Sequence, residues 1–218
     1  MPKYWERRDT LMLALLAFWG YWVFAVVTQP AWLKQFDQTV ALSLHHTPGW
    51  FQTAMLHYTL LANPHSMTII ITLITVIFLL LRQPKSGLYF VINSAVLAAY
   101  GNYFIKQLID RPRPTAWRLT NIGGFSFPSG HATTTTVVIG SLLVLAYDLL
   151  KNPTVKRALL GLGIVSIGLM LVSRVIVGVH YPSDVVGGCL LGSLLLYISS
   201  RLTSGHRTGT FHFHRQSK

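Results

Sequence analysis

Acidic residues are nearly missing from this sequence: 6 aspartates and glutamates stand against 18 lysines and arginines, and charged residues make up only 11% of 218 positions. That is too little charge for a soluble surface. Cysteine is scarcer still, because Cys189 stands alone, and an internal disulfide framework is therefore excluded. What fills the chain instead is apolar: 51% of it is hydrophobic, and several runs approach the roughly 20 residues that span a bilayer. The formal net charge of +12 suggests a nucleic-acid partner at first sight. A nucleic-acid binder gathers its basic residues on one water-facing surface, whereas here they punctuate apolar runs, so no such partner is expected.

The expected fold is all-α: a single integral membrane domain over 1–218, built as a bundle of six transmembrane helices at 11–28, 67–81, 88–105, 132–150, 158–177 and 185–200. The first run is longer than the apolar core of a cleaved signal peptide usually is, and no A-x-A-like site follows it, so it is expected to stay as an anchor. Between the first and second spans, 32–61 is apolar but repeatedly interrupted by polar residues and by Pro48 and Gly49, which suits short helices lying in the membrane interface. That amphipathic stretch is also expected to border a lateral opening for a lipid tail. Trp32, Trp50, Trp5, Trp19 or Trp22, and Trp117 suit headgroup depth. Gly188 and Gly192 form a small-xxx-small pair, with Gly187 beside them, that predicts close helix approach.

An even number of spans puts both ends on one side, and the positive-inside rule selects which. With a cytoplasmic N-terminus, the inner segments hold Lys3, Arg7, Arg8, Arg82, Lys85, Lys151, Lys156, Arg157, Arg201, Arg207, Arg215 and Lys218, while the outer ones hold Lys34, Lys106, Arg111, Arg113, Arg118 and Arg174. The two-to-one ratio places both termini in the cytoplasm. In the tail, His206, His212 and His214 have weak ligand spacing, so contact with anionic lipid is the favoured reading and no metal site is expected.

Three polar clusters then fall on the outer face: KQLIDRPRP after the third span, FPSGHA before the fourth, and SRVIVGVHYPSD between the fifth and sixth. Lys106, Arg113 and Arg174 supply three positive charges, two of them planar forks suited to phosphate oxygens, so an anionic ligand is expected. At Pro128 to His131 a helix begins, where unpaired N–H groups and the helix dipole favour an anion. Ser129 can cap or donate there, and Gly130 lets an oxyanion approach the backbone. An anion site alone needs no histidine. His180 lies four residues before Asp184 across a loop-to-helix junction, so the carboxylate can orient one ring nitrogen and leave the other free to attack. His131 can then protonate a leaving oxygen, and the opposite protonation needs of the two histidines give a bell-shaped pH profile.

Each cluster has a plainer alternative: an ordinary helix start, cations snorkelling to headgroups, a structural histidine. Convergence of the three on one face favours a site. Asp110 and Arg111 read as a local ion pair or solvated turn. Thr133 to Thr136 read as bonding back to carbonyls one turn earlier.

The three clusters together resemble the type 2 phosphatidic acid phosphatase superfamily, whose pattern K-x6-R-P, P-S-G-H and S-R-x5-H-x3-D is matched by Lys106, Arg113 and Pro114; by Pro128 to His131; and by Ser173, Arg174, His180 and Asp184. The resemblance spans Lys106 to Asp184 with no position departing from it. It implies a metal-independent enzyme without a cofactor, in which His180 forms a phosphohistidine, Asp184 supports it and His131 protonates the leaving group. Lys106, Arg113, Ser129, Gly130 and Arg174 would bind the phosphate of a lipid substrate. The compact chain looks like bacterial members, which suggests undecaprenyl diphosphate or phosphatidylglycerol phosphate at the outer face of the cell membrane. A phosphatase for phosphatidic acid or diacylglycerol diphosphate, or a lipid phosphotransferase, would carry the same motifs. A transporter or a non-catalytic lipid-binding protein is the alternative from a different class. The sequence does not specify the oligomeric state.

Overall fold

The computed structural model describes residues 7–204 and 206–208, with side chains from Thr10 onward, and no strand occurs among them. Its helices are α1 (Arg7–Thr28), α2 (Ala31–His45), α3 (Gly49–Thr59), α4 (Pro64–Leu80), α5 (Pro84–Val91), α6 (Ala98–Ile109), α7 (Gly130–Leu149), α8 (Pro153–Ile176) and α9 (Pro182–Leu202). A proline in the first turn of α4, α5, α8 and α9 fixes where each starts, since that position has no intrahelical bond to lose. Asn152 adds a side-chain cap to α8, accepting from the Thr154 and Val155 amides.

Among the described residues, five helices are long and apolar enough to cross a membrane alone, α5 and α6 counting as one rod, Pro84–Ile109, through the π-helical turn Ile92–Leu97. A sixth crossing is available if Gly49–Ala62 and α4, bent by 57° at their junction, act as one broken span. Large apolar side chains such as Phe24, Leu80 and Leu108 point outward, as they do where the solvent is lipid. The segment 32–61 forms two short helices, as expected, and both pack onto the bundle: α2 against α8 and α9, α3 against α8. The Tyr58 hydroxyl donates to the Ser166 carbonyl at 2.9 Å.

α7 runs between α8 and α9. Its contact with α9 is set by the expected glycines: a Cβ at Gly188 would lie 2.6 Å from the Ser129 carbonyl oxygen, and one at Gly192 would lie 2.9 Å from that of Thr133. Only a residue without a side chain permits this backbone approach. Among the tryptophans, Trp22 has a role beyond membrane anchoring, because its indole N–H donates to the Ser183 carbonyl at 2.9 Å and ties α1 to the start of α9. In the tail, Arg207 pairs with Asp148 at 2.6 Å; His212 and His214 lie outside the described residues.

Candidate active site

The C-terminal ends of α6 and α8 and the N-terminal ends of α7 and α9 meet at one end of the bundle, and all eight sequence-derived site residues lie there or in the adjoining loops. The 110–129 loop leaves α6 through Asp110, in the left-handed region at φ 49. It then doubles back under the 177–181 loop, with the Leu119 amide donating to the Val177 carbonyl at 3.0 Å. Gly178 has φ +73, and a Cβ there would lie 2.3 Å from the Trp117 carbonyl oxygen, so both conformation and space require glycine.

α7 begins at Gly130, two residues before the expected boundary, so the PSGH turn is part of the helix start itself. Ser129 is the N-cap, its amide donating to the Asp184 carbonyl at 3.0 Å and its hydroxyl accepting weakly from the Ala132 amide at 3.5 Å. Asn102 of α6 braces the turn, donating to the Pro128 carbonyl at 3.2 Å and to the Thr133 hydroxyl at 3.1 Å. Thr133 bonds back to the Ser129 carbonyl as expected. The hydroxyls of Thr135 and Thr136 depart from expectation: both are buried and find no partner among the described residues.

The three expected cations share one feature: among the described residues their hydrogen-bond acceptors are neutral, oxygens in each case and for Arg113 also a ring nitrogen of His180. Lys106 Nζ donates to the Phe125 carbonyl at 2.8 Å. Arg113 donates through Nε to the Gly124 carbonyl at 3.0 Å and through Nη1 to that of Val179 at 2.8 Å. Arg174, only 2% exposed, donates from Nη1 to the Thr59 hydroxyl at 2.6 Å, and its buried Nε finds no partner among the described residues. Lys106 lies within electrostatic range of both arginines, and His131 within range of all three cations and of His180. Asp184 lies within electrostatic range of Lys106 and Arg113 but is itself paired with Arg111, so positive charge still outweighs negative here, an arrangement that favours an anion.

His180 is 3% exposed. Its Nε2 lies 3.1 Å from Arg113 Nη1, and its Nδ1 lies 3.5 Å from Asp184 Oδ2. A guanidinium only donates, so Nε2 accepts and the ring proton resides on Nδ1, facing the carboxylate. Burial pushes the imidazole down to about 3, with Asp184 acting in the opposite direction, so the ring is neutral at ordinary pH. Asp184 is fully buried and occupied on both oxygens: Oδ1 accepts from Arg111 at 2.7 Å, and Oδ2 accepts from the Tyr181 amide at 2.8 Å and from the Ser126 hydroxyl. His131 Nε2 lies 3.1 Å from the side-chain oxygen of Asn63 at the α3 to α4 break.

Arg111 is a correction to the sequence reading. It forms no local pair with Asp110 and is not solvated: it is 7% exposed and bridges Asp184 to Asp37, at 2.9 Å, on α2. Sequence reasoning also missed Asp37, Thr59, Asn63, Asn102 and Ser126. For Asp37 a signal existed, as one of only 6 acidic residues placed in an otherwise apolar stretch. The neutral residues carry no such mark.

The model of the PAP2 superfamily matches residues 87–207. The chain belongs to the PAP2 superfamily. Phosphatidylglycerophosphatase B of Bacillus subtilis is 37% identical over 102 residues, which cover 44% of this chain and 48% of that protein. An undecaprenyl-diphosphatase of Sulfolobus acidocaldarius is 34% identical over 130 residues, covering 56% and 58%. The chain therefore spans about half the length of these curated PAP2 relatives. The crystal structure of a transmembrane PAP2 type phosphatidylglycerolphosphate phosphatase from Bacillus subtilis matches with a TM-score of 0.78 at 25% identity, covering 89% of this chain and 96% of that one.

Proposed function

We propose that this PAP2 protein hydrolyses a membrane lipid phosphate or diphosphate through a phosphohistidine on His180, with undecaprenyl diphosphate and phosphatidylglycerol phosphate as the foremost substrates. The observation that carries the reading is the cluster of Lys106, Arg113 and Arg174, held by neutral oxygens, around an imidazole whose unprotonated nitrogen faces one of them. An arriving phosphate draws Arg113 from Nε2, which frees that lone pair at the moment the phosphorus comes within reach. Nε2 attacks, the bond from phosphorus to the lipid-side oxygen breaks, and His131 supplies that oxygen's proton. Water, surrendering a proton to His131, then cleaves the phosphorus–nitrogen bond and returns His180 to its neutral form.

The cations and the N–H groups at the start of α7 stabilise the equatorial oxygens throughout. Lipid specificity is supported by a groove of about 430 Å³ in which Gly130 and His131 adjoin a largely apolar wall including Met67, Ile71, Val91 and Ala95. Ala62, the residue after the segment expected to border a lateral opening, is among those lining this groove. The names of the matched relatives support the two substrates, and the positive-inside count supports a site on the extracytoplasmic side with cytoplasmic termini.

The test is phosphate release in detergent with EDTA present, from undecaprenyl diphosphate, phosphatidylglycerol phosphate and phosphatidic acid, with His180→Ala beside the wild type. Release by the wild type that vanishes in the variant is expected, with the first two lipids preferred. Equal release by both proteins would overturn the role of His180.

A further inference from the structure

We infer that Arg111, held in turn by Asp37 of α2, positions the Asp184 carboxylate against His180, so that the short helix α2 belongs to the frame of the reaction centre. This inference rests on the reading of His180 as the nucleophile and assigns no substrate contact to Arg111 or Asp37.

The guanidinium is held from several directions. Nη1 donates to Asp184 Oδ1 at 2.7 Å and to the Ser183 hydroxyl at 2.7 Å, Nη2 donates to Asp37 Oδ2 at 2.9 Å, and the Tyr181 ring stacks 4.2 Å from the guanidinium carbon. Asp37 is also fully engaged: it accepts from the Ser183 amide at 2.8 Å through Oδ1 and from the Ser183 hydroxyl at 2.7 Å through Oδ2. One of these acceptors thus caps an amide in the first turn of α9, the turn that contains Asp184 itself. Asp37, Arg111 and Asp184 are all at most 7% exposed, and the last two are brought together across 73 residues of chain.

Asp184 alone would be an uncompensated buried carboxylate, free to turn its lone pairs away from Nδ1 of His180. Arg111 compensates its charge and fixes its plane. A lone arginine would cancel the negative charge that His180 needs as it turns cationic during phosphorylation. Asp37 restores the balance, leaving the three residues with one net negative charge. That charge lies on the Nδ1 side of the ring, opposite the cations that hold phosphate.

The experiment compares wild type, Arg111→Lys, Arg111→Met, Asp37→Asn, the Asp37→Asn/Arg111→Lys double variant and His180→Ala. Each is assayed as purified full-length protein on a short-chain soluble analogue of phosphatidylglycerol phosphate, with rates normalised to folded protein. Loss of carboxylate alignment lowers kcat by about 100-fold in Arg111→Met and about 10-fold in Asp37→Asn, while KM stays within about threefold. Arg111→Lys recovers part of the loss. The double variant stays within about threefold of Arg111→Lys alone, because both changes disable one linkage.

A role confined to stability would lower the yield of folded protein and leave its kcat intact, which overturns the inference. A raised KM with unchanged kcat would make Arg111 a phosphate ligand and overturns it equally. Should Arg111→Met not fold, Asp37→Asn and Arg111→Lys decide: wild-type kcat in both sinks the proposal. Wild-type turnover by His180→Ala would instead defeat the underlying functional reading, a separate failure.

Discussion

The neutral state of His180 has a consequence for stability as well as for attack. Its folded-state value of about 3 lies below the ordinary 6.5, so between those limits the unfolded chain binds more protons at this residue than the folded one. The contribution is complete above 6.5 and is lost as pH falls toward 3. In detergent, the thermal midpoint of wild type should therefore fall more steeply over that window than that of His180→Gln; parallel curves would contradict the assignment. Because the Arg174 guanidinium is buried and Nε finds no partner among the described residues, Arg174→Lys, which lacks the planar fork, should lower kcat/KM by on the order of 100-fold and weaken inhibition by inorganic phosphate. The eight residues marked by charge, imidazole or the helix-start motif could be singled out in the sequence, and the fold places them at one end of the bundle. Thr59, Asn63 and Asn102 could not be singled out, because a neutral polar residue in an apolar chain looks the same whether it braces a site or faces its own helix.

At the level of the helices, the site depends on how closely α7 lies against α9. Gly188→Ala would drive a methyl into the Ser129 carbonyl at the N-cap of α7, whereas a Cβ at Gly161 or Gly168 of α8 meets open space. The first substitution should cost about 1–3 kcal/mol, read as a lowered thermal midpoint, together with reduced turnover; the other two should leave turnover unchanged. Asn102→Leu removes the two hydrogen bonds that brace the PSGH turn from α6 and should lower turnover about tenfold at constant expression. The long spans were legible because length and hydropathy define them. The π-helical turn at Ile92–Leu97 and the packing of α2 onto α8 and α9 were not, since both depend on partners distant in sequence. Arg111 is the clearest case: next to Asp110 it looks like a local pair, and only the folded chain brings Asp37 and Asp184 to it.

Across the whole molecule, Lys106, Arg113 and Arg174 come to one end of the bundle, and the proposed topology puts that end outside the cytoplasm. In a Cys189→Ser background, Thr115→Cys should react with a membrane-impermeant maleimide in intact cells, and Lys151→Cys only after permeabilisation; the reverse pattern would invert the topology. Both positions are exposed. The proposed covalent intermediate can be trapped by rapid mixing with lipid carrying a radioactive terminal phosphate, followed by an alkaline quench that preserves phosphohistidine. Label should appear on His180 within the first turnover and be absent from His180→Ala. Steady phosphate release with no base-stable label on the wild-type protein, sampled faster than one turnover, would contradict the covalent intermediate.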